Sequence, residues 1–346
     1  MKINKDQIKR ILLIKPRGIG DIVLSTIVLK NINNHFPSAI IHYLVEEFAQ
    51  DSLRYHPIVD KVLTMKKSEF VLKVAHRIKK ERYDLVIDLY SNPRTAQITF
   101  LSGAKFRAGY SYKGRKYAYN IPATSERGNV HSAEHNLELL KCLDIPVTSK
   151  EIQYHFSEKA SQKAKEYFNK IRNDVDFIVG IVPSGGWESK RCDKEKWVEI
   201  IDKFKFKDKS NFKLRFLILW GPGDEKDVEY INNKLPEITT VAPKTSVDEL
   251  AALISQCDLI IANDSGPMHI AAALNVAVIG LFGPTDPAKH GPYSSKSAYI
   301  LKEDLHCIKC NMLVCPYNHE CMKELDVDEI INNAESLLSR KLNEKD

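Results

Sequence analysis

The stretch ILLIKPRGIGD, Ile11 to Asp21, decides how this chain is read. An apolar run stops at a proline, an arginine and two glycines, and a carboxylate then stands where a helix begins. Strand, glycine loop and helix in that order predict the first unit of a parallel α/β sheet, and commonly a phosphate cradle, because glycine allows close backbone approach. The spacing is G-x-G followed at once by Asp21, so the third glycine of the dinucleotide fingerprint is missing. A negative charge at the mouth of the loop also suits phosphate poorly. Taken locally, Asp21 is a helix N-cap or a first-turn acid, worth about 1 kcal/mol or less.

Outward from this stretch, short β-branched runs alternate with helical patterns. A helix is expected from Asp21 to about Asn34, then a strand at IIHYLV (40–45) and a short helix at FAQDSLRYH, ending before Pro57. DKVLTM is a strand, SEFVLKVAHRIKKE an amphipathic helix and DLVIDLY (84–90) a buried strand. Ser91 to about Arg127 reads as irregular, basic and tyrosine-rich, HSAEHNLELLKCL as a helix, and about Ile145 to Phe156 as a linker. Beyond it FIVGIVP (177–183), LRFLILWG (214–221), TTVAP (239–243), DLIIAND (258–264) and VAVIGLFG (276–283) are expected strands. Helices are expected to begin near Asp193, Asp224, Ser246 and Met268. The alternation predicts an α/β fold of two Rossmann-like, doubly wound parallel-sheet domains. Ligands of such sheets bind beyond the carboxyl ends of the strands, so a cleft between two facing domains is expected. The expected domains are 1–155, 156–325 and a closing helix, 326–346, packing back toward the amino-terminal domain.

Composition narrows the function classes. The 346 residues exceed one comfortable core. Lys and Arg outnumber Asp and Glu by 51 to 45, a formal charge of +6, which favours an anionic substrate or lipid surface but is too small to argue for nucleic acid. The basic start MKINKDQIKRILLIK has too short an apolar core for a signal peptide, and Ile270 to Gly283 is too short to span a membrane. A cytoplasmic protein, at most peripheral to the inner face of the membrane, is expected. Seven cysteines in such a chain argue against a disulfide framework.

Four turns after strands concentrate unusual residues. Arg17, Gly18 and Asp21 form the first. In VPSGGWESK, Ser184, Gly185 and Gly186 make a loop able to wrap an oxygen-rich ligand, and Lys190 is either a phosphate contact or a solvated charge. In WGPGDE, Asp224 and Glu225 either serve the macrodipole of the next helix or accept ribose hydroxyls. In IIANDSGPMHIAAAL (260–274), Pro267 suits a first helical turn, so the backbone N–H groups around Ser265 and Gly266 are candidates for a diphosphate. His269 follows Ser265 by four residues and shares its helix side, as a structural histidine or a functional one. LFGPTDP closes that rim with Thr285.

Together these segments resemble the heptosyltransferases of glycosyltransferase family nine, enzymes of GT-B architecture that build the inner core of lipopolysaccharide. The resemblance runs through most of the chain. It implies that Asp21 is the catalytic base of an inverting transfer and that Lys190 neutralises charge on the departing diphosphate. It further implies that Asp264 holds donor-sugar hydroxyls, that His269, Ser184 and Gly185 contact the same ligand, and that Asp224 or Glu225 meets ribose. Thr245 would border the base, Arg17 and Gly18 the acceptor. The implied donor is ADP-L-glycero-β-D-manno-heptose, with no metal or other cofactor, and the implied acceptor is lipid A–Kdo or the heptosylated core. Arg17 and Gly18 stand where some relatives have small hydroxyl residues, and Gly185 and Gly186 where others have threonines. The segment Phe106 to Tyr119 is either a face for anionic lipid or a solvated loop. Rival readings are the same chemistry with another nucleotide sugar or a protein serine as acceptor, and a nucleotide-sugar-binding module without catalysis, which has no need of Asp21. A nicotinamide dehydrogenase is disfavoured because no complete G-x-G-x-x-G follows a strand.

The segment LHCIKCNMLVCPYNHECM sets Cys307, Cys310, Cys315 and Cys321 in a C-x2-C-x4-C-x5-C pattern. That spacing permits a four-thiolate zinc or iron site, with His306 and His319 as rival ligands, or free thiols. Cys142, Cys192 and Cys257 read as core or near-core residues.

Overall fold

The computed structural model describes residues 3–124, 126, 128, 130–172, 174–207 and 212–343, and its chain divides into two compact units, Met1–His155 and Phe156–Asp346. In the first unit, β1 (Arg10–Ile14), β2 (Ile40–Glu46), β3 (Lys61–Met65), β4 (Leu85–Asp88), β5 (Phe106–Tyr110) and β6 (Ile121–Ala123) form one sheet. Its order is β3-β2-β1-β4-β5-β6, parallel throughout. Ile11 to Ile14 on the central strand are fully buried, the continuous apolar run that a sheet covered on both faces requires.

The second unit repeats the plan with β7 (Phe177–Val182), β8 (Leu214–Ile218), β9 (Thr239–Val241), β10 (Leu259–Asn263), β11 (Ala277–Phe282) and β12 (Ser297–Leu301). Its order is β12-β11-β10-β7-β8-β9, again parallel. Counted from each unit's own first strand, both sheets read 3-2-1-4-5-6, the doubly wound order. The strand order therefore reverses between β1 and β4, and between β7 and β10, where the loops after those strands splay apart to admit a ligand.

Local chemistry adjusts several expected elements. The helix after β1 is three pieces, Ile19–Ser25, a 3-10 turn Thr26–Val28, and Leu29–His35. Ser25 and Thr26 donate their hydroxyls to the carbonyls of Ile22 (2.6 Å) and Val23 (2.7 Å), back-bonding that disturbs regular helix. The residues after β2 form a 3-10 helix, Glu47–Ser52. The linker near Ile145 to Phe156 has no regular element, and Asn31 Oδ1 holds it by accepting from the N–H groups of Thr148 (2.7 Å) and Ser149 (2.9 Å).

The segment from Ser91 onward is not irregular. It contains the helix Pro93–Leu101 and strands β5 and β6; Arg127, its expected end, lies outside the described residues. Asn92 and Thr95 form a capping box around Pro93 at the first helical position, which fixes that start. Phe106, Tyr110 and Tyr119 are buried core residues. Gly109 lies so close beneath Tyr119 that an added Cβ would meet the ring at 2.3 Å. Phe106–Tyr110 of that stretch is therefore a buried strand and not a loop, while the loop after it exposes Lys113, Lys116 and Tyr117.

In the second unit the helix Glu158–Ile171 and strand β12 add to the expected elements. The closing helix, Val327–Asn343, corrects the expectation that it packs toward the amino-terminal domain. Its apolar stripe of Ile330, Ile331, Ala334, Leu337 and Leu338 belongs to the second unit's core, with Phe177, Trp197 and Ile279. Cys192 and Cys257 are buried as expected, whereas Cys142 is exposed. Among the described residues no helix is long and apolar enough to cross a membrane.

Candidate active site

Each unit gathers its polar side chains at the carboxyl ends of the central strands. In the first unit β1 leads through Lys15 to Arg17 into Gly18, the N-cap of the next helix, at φ 75°. Asp21 sits exposed in that helix's first turn, so it is a first-turn acid and not the cap. Its carboxylate folds back over Gly18, where a Cβ would lie 2.7 Å from Oδ2. Positive φ and this overlap both require glycine there. Arg17 Nε donates to the buried Glu46 carboxylate (3.2 Å) at the end of β2. Burial, and then the charge of Asp21, raise the Tyr90 phenol above its ordinary value, while Arg17 opposes them. Asp21, Arg17, Glu46 and Tyr90 thus form one electrostatic group. A cavity of about 580 Å³ beside it is lined by Arg17, Gly18, Glu46, Glu47, Phe48, Met65, Lys66 and Lys67. Tyr90, Lys66 and Lys67 carry no motif in the sequence. Their one signal is position, just after β4 and β3.

In the second unit Lys190, Asp264 and Thr285 converge from the loops after β7, β10 and β11. Lys190 Nζ lies 2.6 Å from Asp264 Oδ2, which also accepts from Thr285 Oγ1 at 2.7 Å. Asp264 and Thr285 are buried, and the ammonium stands 4.2 Å from the centre of the Trp187 ring, a cation–π contact that steadies it. Ser265 is the N-cap of the helix Gly266–Ala273, with Pro267 in the first turn. Ser265 Oγ is buried without a hydrogen-bond partner among the described residues, at a helix end whose backbone favours anions. His269 lies on the same helix and is buried.

The glycine loop is held from beneath. Buried Asn263 donates to the Pro183 carbonyl (2.8 Å) and accepts from Cys192 N–H (3.3 Å). Gly185 leaves room for Arg191, whose Cγ would stand 2.7 Å from an added Cβ. Asp224 is committed inside the unit: it accepts from Ser184 Oγ, from Gly221 N–H (2.9 Å) and from Arg191 Nη2 (2.7 Å). Ser184 and Asp224 therefore brace the loops, and Glu225, exposed at the next position, accepts from Gly223 N–H (2.9 Å). Gly186 is exposed in the same loop, and Thr245 lies half-buried after the edge strand β9.

The family model of glycosyltransferase family 9 (heptosyltransferase) matches residues 71–320. The chain belongs to glycosyltransferase family 9. Lipooligosaccharide heptosyltransferase 2 of Campylobacter jejuni is 25% identical to it over 336 residues, covering 93% of this chain and 96% of that protein. The solved family 9 glycosyl transferase of Veillonella parvula superposes with a TM-score of 0.81 at 23% identity, over 96% of this chain and 97% of that one. The structure of Escherichia coli ADP-heptose lps heptosyltransferase II gives 0.77 at 21% identity, over 96% and 99%. The family 9 fold is GT-B, and the protein is a glycosyltransferase of the lipopolysaccharide heptosyltransferase group.

The four cysteines near the carboxyl end are free thiols: Cys321 buried, Cys307, Cys310 and Cys315 half-exposed. Burial and the neighbouring thiols of Cys315, Cys307 and Cys310 push the Cys321 thiol up to about 12. Among the described residues no group of three or more His, Cys, Asp or Glu side chains is arranged to hold a metal ion.

Proposed function

We propose that this family 9 enzyme transfers heptose, with inversion, from ADP-L-glycero-β-D-manno-heptose to a Kdo or heptose residue of the lipopolysaccharide inner core, at the cytoplasmic membrane face. The observation that carries this reading is the Lys190–Asp264–Thr285 cluster beside the helix N-terminus at Ser265 and Gly266. A cation, a partnerless buried hydroxyl and oriented backbone dipoles there suit a diphosphate. The ADP-heptose in the name of the Escherichia coli structural relative supports the same donor.

The acceptor hydroxyl gives its proton to the Asp21 carboxylate as its oxygen attacks the anomeric carbon of the donor sugar. The bond from that carbon to the β-phosphate oxygen breaks, and its electron pair leaves with ADP. Lys190 and the helix N-terminus stabilise the negative charge that grows on the diphosphate. Asp21 is exposed, and a carboxylate so placed is open to an incoming hydroxyl. Asp264 and Thr285 hold donor hydroxyls, His269 the phosphate side, Glu225 the ribose and Thr245 the adenine. Lys66 and Lys67 around the adjoining cavity, where Arg17 is paired with Glu46, supply positive charge for an anionic, lipid-linked acceptor.

The test incubates purified protein with ADP-heptose, UDP-glucose or GDP-mannose and with lipopolysaccharide acceptors truncated after Kdo or after the first heptose, and reads product mass. Addition of one heptose, from ADP-heptose only, is expected. Transfer from a different nucleotide sugar, or none to either acceptor, rejects the assignment.

A further inference from the structure

The segment Leu305 to His319, left without a role by the chemistry above, is fastened to both loops that shape the Lys190 site. Its Lys309 N–H donates to the Gly283 carbonyl (3.1 Å) and its Asn311 N–H to the Pro284 carbonyl (2.7 Å), immediately before Thr285. On the other side, Ser189 N–H donates to Leu313 O (3.3 Å) and Ser189 Oγ to Met312 O (2.5 Å). The His319 ring Nε2 lies 2.7 Å from the Ser189 carbonyl. A carbonyl only accepts, so that nitrogen carries the hydrogen. Ser189 is the residue before Lys190, in the same 3-10 turn Glu188–Lys190.

These contacts close a ring. The segment grips Ser189, Lys190 meets Asp264 Oδ2, Thr285 meets the same oxygen, and Pro284 returns to the segment. Within the segment the His306 and Tyr317 rings meet edge to face at 5.0 Å, and Leu305 and Ile308 pack on the second unit's core. His319 adopts a left-handed conformation, φ 65°, which costs an L-residue about 1 kcal/mol. The bond to Ser189 is what the strained backbone delivers.

We propose that His319 is a positioning residue for Lys190: through Ser189 it fixes the 3-10 turn so that the ammonium stands ready for the anion. This rests on the donor reading above and adds to it the element that holds the cation in place. Lys190 has a long, flexible side chain, and a fixed backbone origin lowers what must be ordered when an anion binds.

A double-mutant cycle in ADP affinity tests it, measured by titration calorimetry on the full chain, with thermal midpoints recorded alongside. Lys190→Ala is expected to weaken ADP about tenfold and His319→Ala about fivefold. His319→Gln, whose amide nitrogen can reach the same carbonyl, restores affinity to within twofold. Because His319 acts through Lys190, the double variant binds no more weakly than Lys190→Ala. Effects that multiply, a His319→Ala affinity within 1.5-fold of the parent, or a Gln variant as weak as Ala would overturn the proposal. Should His319→Ala fold poorly, Ser189→Ala, which removes only the Oγ bond to Met312, is expected to weaken ADP about twofold, again only while Lys190 is present; multiplying effects there overturn it equally. A parent protein that does not bind ADP overturns the donor reading and the proposal together. ADP binding with independent effects overturns the proposal alone.

Discussion

At the crossover of the first sheet, between β1 and β4, the loop after β1 enters a helix whose first turn bears Asp21. At the same crossover of the second sheet, between β7 and β10, stand Lys190 from the loop after β7 and the helix N-terminus at Ser265 and Gly266. The strand order is identical and the chemistry is opposite. A carboxylate over Gly18 disfavours phosphate at the first crossover, while a cation and an anion-favouring helix end favour it at the second. The doubly wound fold supplies a position, and the residues set into it decide what it binds.

The sharpest way to break this comparison is Asp21→Asn, which keeps shape and removes the proposed base. Turnover is expected to fall by about 10²–10⁴-fold, while ADP affinity, assigned by the proposal to the other unit, stays within twofold. Transfer assays with calorimetry on the same preparation decide it, and a lost ADP response would mean that the two crossovers do not divide the labour.

The units should also differ toward acid. In the first, buried His56 meets the His155 ring edge to face at 4.8 Å, and burial, then the second imidazole, lower its pKa from 6.5 to about 4. His155 is likewise lowered by burial. The unfolded chain therefore takes up a proton that the folded chain refuses, so stability is retained above pH 6.5 and falls as pH drops from there toward 4. For His56 alone the loss at pH 4 is about 3 kcal/mol. All three tryptophans lie in the second unit, so amide hydrogen exchange is the readout for the first. His56→Gln should flatten the pH dependence of exchange in 1–155, and parallel curves for variant and parent would remove His56 as the cause.

The smallest effect concerns the fourth strand of each sheet, which ends in a buried polar residue, Asp88 in one unit and Asn263 in the other. Burial raises the Asp88 carboxyl above its usual range, and hydrogen bonds from Ser91 N–H (2.8 Å) and Tyr119 Oη (2.8 Å) counter that. Tyr119→Phe should cost about 1 kcal/mol, seen as faster exchange in the first unit only. A matching change in ADP affinity would show that Asp88 serves more than its own loop.

Much of the site was legible because it is written locally. A glycine-rich turn after an apolar run, Pro267 behind Ser265, and Lys190 after two glycines each have a physical reason within a few residues. Other features have none. Phe106 to Tyr119 is polar and aromatic in pattern, and only pairing with β4 and β6 makes Phe106–Tyr110 a strand, with Tyr119 packed over Gly109. Asp224 reads as a first-turn acid or a ribose contact, and only the structure shows Arg191, Ser184 and Gly221 donating to it.

Local sequence accounts for the alternation of strands and helices, the loops that follow the strands, and which of those loops carry charge, because periodicity and turn chemistry act between near neighbours. Tertiary structure alone decided that Lys190, Asp264 and Thr285 meet on one oxygen and that a segment over a hundred residues downstream grips the turn beside Lys190. It also placed the closing helix in the second core. Such meetings depend on strand order and on how side chains fill shared space, and neither is encoded in any one stretch of the chain.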